Sequence, residues 1–93
     1  MERKIVWSDT ALNNLDKITE YLKLNWGNKV LDKFHAQLYS KINLLLLQPD
    51  LGGRTAKYSL YRNFLITKKN LLIYRYDKEE LIIIRIKHSS QNK

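Results

Sequence analysis

Between Tyr58 and His88 the chain reads YSLYRNFLITKKNLLIYRYDKEELIIIRIKH. Three runs rich in Leu, Ile, Tyr and Phe are separated there by Lys68-Lys69-Asn70 and by Asp77-Lys78-Glu79-Glu80. Polar breaks this short between β-prone runs are hairpin turns, so the stretch predicts three consecutive antiparallel strands. Such a meander has one face to bury and another that can face solvent or a partner. What precedes it must therefore supply the covering layer.

The preceding residues have helical periodicity. Lys4 to Trp7 is a short β-prone run that Ser8 stops, and Ser8 is a good N-cap, with Trp7 and Leu12 placed to form a hydrophobic staple. Apolar residues then recur at Ala11, Leu12, Leu15, Ile18, Leu22 and Trp26, the spacing of one buried helical stripe. Gly27 suits a left-handed helix end and Asn28 can cap a second helix, from Lys29 to about Gln48. Its buried face would carry Leu31, Phe34, Leu38, Ile42 and Leu45, and Pro49 would stop it. Leu44 to Leu47 is apolar nearly all round, so that end is expected to be covered on two sides, by the sheet and by the following loop or a partner. Pro49 to Arg54 reads as a loop in which Gly52 and Gly53 permit positive φ; it lacks the spacing of a phosphate-binding loop. The tail Ser89 to Lys93 has no apolar anchor, and part of it is expected to be mobile.

This order gives an α+β fold over residues 1–93 as one domain: an N-terminal strand and a helical hairpin packed on an antiparallel sheet of about four strands, with the first strand at an edge. The chain contains no cysteine and only His35 and His88 as nitrogen ligands, so no metal or cofactor is expected. MERKIVWSDT has no apolar signal core, and the apolar runs are too short to span a bilayer. A cytoplasmic protein with no membrane contact is the expectation.

Charge separates the two halves. Residues 1–53 hold seven Lys/Arg against six Asp/Glu, whereas residues 54–93 hold ten against three. The net +8 therefore belongs to the sheet half, which points to a polyanionic partner or to a basic face kept for solubility. Without a metal, phosphodiester cleavage needs a general base, a general acid and cations at the phosphorane. His88 is the one side chain near the meander whose ordinary range lies near neutrality, and Arg62 is a cation on the first meander strand. Arg54, Lys57, Arg75, Arg85 and Lys87 are candidates for binding a target or nucleic acid. Tyr58, Tyr61, Tyr74 and Tyr76 suit base stacking and sheet packing alike, while His35 reads as a helix-surface residue. Alternation places Arg85 on the same face as Leu81 and Ile83, amid isoleucines.

The chain resembles the RelE/ParE superfamily of toxins from bacterial type II toxin–antitoxin modules. The resemblance rests on Val6-Trp7-Ser8 with Ala11 and Leu15 to Tyr21, the helix ending at Pro49, and Leu51-Gly52 with Arg54. It continues through Tyr61-Arg62, Asn70 to Arg75, and Ile84 to His88 followed by Gln91-Asn92. It implies a growth-arresting protein neutralised by a cognate antitoxin, a small acidic protein whose segment folds across the basic sheet or the helical hairpin. Targets in the superfamily are DNA gyrase for the ParE-like branch and mRNA on the ribosome for the RelE-like branch. Leu71 stands where ribosome-dependent nucleases carry an arginine, and Ser90 stands at the arginine of an H-x-R-Q pattern. Losing one preorganised donor costs about 2.7–4 kcal/mol of transition-state stabilisation. The balance tilts toward noncatalytic poisoning of gyrase. A ribosome-dependent endoribonuclease using His88 and Arg62 is the alternative, and an inactive member that keeps antitoxin binding is a third reading.

Overall fold

The structure is a computed structural model and describes residues 3–57 and 59–89. Strand β1 (Lys4–Trp7) leads into helix α1 (Asp9–Trp26) and helix α2 (Asn28–Leu47), followed by a 3-10 turn at Pro49–Leu51. Strands β2 (Gly53–Arg54), β3 (Arg62–Leu65), β4 (Asn70–Tyr76) and β5 (Glu80–His88) complete the sheet, whose spatial order is β1-β5-β4-β3-β2. The α+β architecture and the edge position of the first strand are as expected. Two features differ: the sheet has a fifth, two-residue strand, and β1 runs parallel to β5, which makes the sheet mixed.

The first meander strand is also shorter than its apolar run implies. Tyr61 lies outside it, because Ser59 Oγ accepts hydrogen bonds from the Tyr61 N–H and the Thr55 hydroxyl, both at 2.9 Å, which draws Thr55, Ser59 and Tyr61 together off the ladder. Polar side chains there compete with the ladder for backbone groups.

Ser8 performs two tasks. Its Oγ accepts from the Ala11 N–H at 3.0 Å, capping α1, and donates to the Ile84 carbonyl at 2.6 Å, tying the start of the helix to β5. Gly27 has φ +86, the one positive φ among the described residues. Asn28 makes no side-chain cap; it is the first residue of α2, and the Leu31 N–H is met by the Gly27 carbonyl. The turn is too tight for a separate capping residue.

The helical pair covers the sheet face that carries Ile66, Leu72, Tyr74, Leu81, Ile83 and Ile86, all buried. Phe34, Leu38, Ile42 and Leu45 of α2 meet them, as the periodicity implies, with Ala11, Leu15, Ile18 and Leu22 of α1. Leu12 and Trp26, expected on the buried stripe, are exposed at 44% and 60%. Trp26 sits at the last turn of α1, and Leu12 lies about 100° round the helix from Ala11, off the buried stripe. At the end of α2, Leu45 is buried and Leu46 packs on the core, whereas Leu44 and Leu47 face outward, so the two-sided cover expected there is not supplied by the described residues.

One irregularity decides the use of the sheet faces. Ile73 pairs with Arg85 and Tyr74 with Ile83, so Ile84 is an extra residue on β5. Residues 81 and 83 point into the core, and past the bulge the inward position passes to Ile86. Arg85 therefore shares the outer face with Ile73, not the core face with Leu81 and Ile83. Simple alternation gives the wrong side for it because an inserted residue shifts every following side chain.

Of the tail from Ser89 to Lys93, Ser89 is held in place, its N–H donating to the Lys69 carbonyl at 2.9 Å and its hydroxyl to the Lys68 carbonyl at 2.7 Å, and residues 90–93 lie outside those described. Leu38 is fully buried at the centre of the α2–sheet contact. Leu38→Ala is expected to cost about 2–5 kcal/mol, read as a lower urea midpoint with an unchanged slope.

Candidate functional site

The meander brings its cations to two places. The first is the loop after α2, where Tyr74, at the centre of β4, sends its hydroxyl through the sheet edge to the backbone. It donates to the Pro49 carbonyl at 2.5 Å and accepts from the Gly52 N–H at 3.0 Å. Burial pushes the hydroxyl above the ordinary phenol range. Gly52 is required here by proximity and not by its φ of −71: a Cβ would stand 2.5 Å from the Tyr74 hydroxyl and 2.7 Å from the Asn63 carbonyl.

Arg62 lies on the same clamp. Its Nη1 donates to the carbonyls of Gly52 at 2.7 Å and Asp50 at 3.3 Å, and its Nη2 stands 3.6 Å from the Asp50 carboxylate. The Asp50 side chain is 76% exposed, so the ion pair itself contributes at most about 1 kcal/mol. Tyr76 donates its hydroxyl to the same carboxylate, which raises the phenol above its usual range, and its ring is approached by Arg3 at 5.0 Å and Arg62 at 5.9 Å. Arg54 is directly opposite Arg62 across the β2–β3 pair, a like-charge placement that is unfavourable unless an acid or an anionic ligand offsets it. Its Nη1 reaches the Lys57 carbonyl at 3.4 Å, and Arg54, Arg62 and Tyr76 line a hollow of about 200 Å³ with Ser59 and Leu60.

The second place is the outer sheet face. Arg75 pairs with Ile82, Ile73 with Arg85, and Leu71 with Lys87, so the three cations occupy successive rows there. They alternate with Leu65, Leu71, Ile73 and Ile82, a surface both apolar and basic. His88 is exposed at the end of β5, opposite Asn70.

The two residues required for a general acid–base reading are not brought together. Arg62 is level with Tyr74 and His88 with Asn70, four positions along β4 and two strands across. At about 3.3 Å per residue and 4.8 Å per strand, their backbone positions are on the order of 15 Å apart. A base and a phosphate-binding cation must act within hydrogen-bond reach of one phosphodiester, so Arg62 and His88 would have to converge across two strands. Arg62 is also committed to the loop carbonyls. Among the described residues no group of His, Asp and Glu is placed to hold a metal ion. No helix of the described residues is long and apolar enough to cross a membrane.

Residues 5–93 match the family model described as the ParE toxin of the type II toxin–antitoxin system, parDE. The chain belongs to the ParE toxin family. Among solved structures it is similar to a chain of the chromosomal ParDE system from P. aeruginosa, with 20% identity, a TM-score of 0.76, and 94% of this chain and 96% of that one covered. It is also similar to YoeB from the Staphylococcus aureus YoeB dimer at 16% identity and TM-score 0.66, covering 94% and 97%. A chain of the E. coli DinJ–YafQ toxin–antitoxin complex gives 13% and 0.67, covering 99% and 98%. At these identities the structures establish a shared fold. No curated protein matches the chain. As a ParE-family toxin it is the toxin half of a type II module.

Sequence reading singled out Arg62 but not the reason for its position. Tyr74 and Gly52 were legible only as a sheet tyrosine and a loop glycine; their 22-residue separation hides the bond between them. Tyr74→Phe leaves the buried Gly52 N–H and Pro49 carbonyl without their partner and is expected to cost about 1–3 kcal/mol, lowering the melting temperature of a domain this size by several degrees. Both phenols have raised folded-state values, so their contribution is intact below pH 10.0 and is lost as the pH rises through those values. Urea midpoints measured from pH 8 to 11.5 should therefore fall at the alkaline end, and fall less in Tyr74→Phe/Tyr76→Phe.

Proposed function

We propose that this toxin arrests growth by poisoning DNA gyrase without catalysing a reaction of its own. The observation that carries this reading is the fate of Arg62: the cation a nuclease would turn toward a scissile phosphate is instead bound to the carbonyls of Asp50 and Gly52. The distance from Arg62 to His88, with Leu71 and Ser90 at the positions of two nuclease arginines, supports the same reading. The similarity to a chain of the P. aeruginosa ParDE system is consistent with it. On this view Arg54, Lys57, Arg75, Arg85 and Lys87 serve recognition, and the basic sheet is a contact surface for an enzyme that works on a polyanion.

The antitoxin, in this reading, takes the helical hairpin. Tyr21, Leu24 and Trp26 of α1 are 58%, 78% and 60% exposed, and Val30 lies just past the turn. Exposed aromatic and aliphatic residues gathered in one region mark an interaction surface, and a folding antitoxin segment would bury them as anchors. Leu24→Ala/Trp26→Ala is expected to raise the Kd for the cognate antitoxin at least tenfold in calorimetric titration, with little change in melting temperature. An unchanged Kd would move the antitoxin off the hairpin.

The target is tested with purified toxin, gyrase, ATP and relaxed plasmid. Supercoiling should fall, and linear plasmid should accumulate after detergent and protease treatment. In parallel, a cell-free translation reaction receives toxin or His88→Ala, and mRNA 5′ ends are mapped. New ends within codons that vanish with His88→Ala, and no effect on gyrase, would replace this reading with the ribosome-dependent nuclease.

A further inference from the structure

β1 ends at Trp7, so β5 runs on from Ile84 without a neighbouring strand on that side. Helix α1 fills the gap with side chains. Ser8 donates to the Ile84 carbonyl, and Asn14 Oδ1 accepts from the Ile86 N–H at 3.0 Å. Between the helix and this strand lies a groove of about 260 Å³, with Asn14 and Lys17 on the helical wall, Arg85, Lys87 and His88 on the strand wall, and Asn70 at the end.

Its lining is one-sided in chemistry. Asn14 has its oxygen fixed on Ile86, so its amino group is the end that meets a ligand. Lys17, Arg85 and Lys87 are donors as well, and no Asp or Glu lines the groove. Lys17 stands on the helical wall, and Arg85 and Lys87 border the strand wall from the outer sheet face, so positive charge gathers around one concavity where an anion would be favoured. None of the three takes part in the loop clamp or the core.

The arrangement also discriminates between anions. Arg85 and Lys87 stand two residues apart on β5, about 7 Å along the strand, a spacing comparable to that of neighbouring phosphates. No Phe, Tyr or Trp lines the groove to anchor a protein segment, whereas Lys, Arg and Asn spread over two walls are the usual partners of a sugar-phosphate backbone. We propose that this groove binds the phosphodiester backbone of duplex DNA, independently of sequence. The proposal rests on the gyrase reading in one respect: the duplex is the segment on which gyrase acts. Lys17 and Asn14 thereby become part of the toxin's contact surface, with the strand cations Arg85 and Lys87.

The test is fluorescence anisotropy on the full chain, freed of antitoxin, with a labelled 20-base-pair duplex at several salt concentrations. Nonspecific binding in the range of about 10⁻⁶–10⁻⁴ M is expected. Lys17→Glu/Arg85→Glu should weaken it at least tenfold and make the log Kd against log salt plot shallower by about 2. Lys29→Glu/Lys78→Glu makes the same charge change at the helix turn and at the far end of β5, and should change Kd less than threefold. Melting curves accompany each variant; where the groove double does not fold, Lys17→Gln/Arg85→Gln takes its place and should weaken binding at least threefold.

Equal losses in the two Glu doubles would reduce the groove to net charge and overturn the proposal. So would absence of duplex binding, or tighter binding of single-stranded RNA or a polyglutamate peptide that the groove variant abolishes. Because gyrase is absent from this assay, it fails separately from the target. Duplex binding lost in the groove variant, with wild-type toxin inert on gyrase, would uphold the groove and sink the target. Gyrase poisoned equally by wild type and a duplex-blind groove variant would uphold the target and overturn the groove's role in it.

Discussion

The pairing of β4 with β5 is the constraint on which the other parts depend, and within it the single inserted residue at Ile84. A bulge is a local event, but side chains along a strand alternate, so one extra residue reassigns every position after it. Ile86 takes an inward place over which α1 and α2 close, and Arg85 and Lys87 are turned out. Without the bulge, Arg85 would be directed at the core, where an unpaired guanidinium is far costlier than any contact it could make. The same irregularity bends β5 near the point where β1 stops, which is where Ser8 and Asn14 attach the helix to the strand. Core, basic face and helix docking thus follow from one register shift.

How much of this could be read from the residues depends on the distance over which each feature is specified. The helices were legible because their signals are local: Ser8 caps α1 as its side chain implies, and Leu31, Phe34, Leu38, Ile42 and Leu45 are all buried. The meander was legible for the same reason, its turns lying at Lys68-Lys69 and at Asp77 to Glu79. At the second turn, Asp77 accepts from the N–H groups of Glu79 and Glu80, which hold its carboxyl below the usual range, a contact contained within four residues. The bulge, the parallel pairing of β1 and the bond from Tyr74 to Gly52 are nonlocal. No periodicity within a strand announces them, since each depends on what the partner strand or loop brings alongside.

The candidate site divides along the same line. Charge counting located the cations in the correct half of the chain, and strand assignment placed Arg75 and Lys87 on a sheet. It could not reveal that Arg62 is occupied by the loop, because its acceptors are backbone carbonyls that carry no residue signature. Nor could it single out Lys17, one of several lysines on a polar helix face, until the fold brought it against the end of β5. One scaffold can serve different activities in these terms: it fixes where cations are displayed, and a few side chains decide whether one of them is available for chemistry.

The Tyr74 hydroxyl has a consequence for motion. Surface loops ordinarily open on their own, exchanging amide protons far faster than the sheet they adorn. Here the Gly52 amide is held by a side chain rooted in β4, the central strand of the five, and the same oxygen holds Pro49. The loop cannot swing out unless Tyr74 gives up both bonds, and Tyr74 is locked by its packing in the core. The segment from Pro49 to Gly52 therefore belongs dynamically to the sheet, and the Gly52 proton should exchange on the slow timescale of β4 despite its address in a connecting loop.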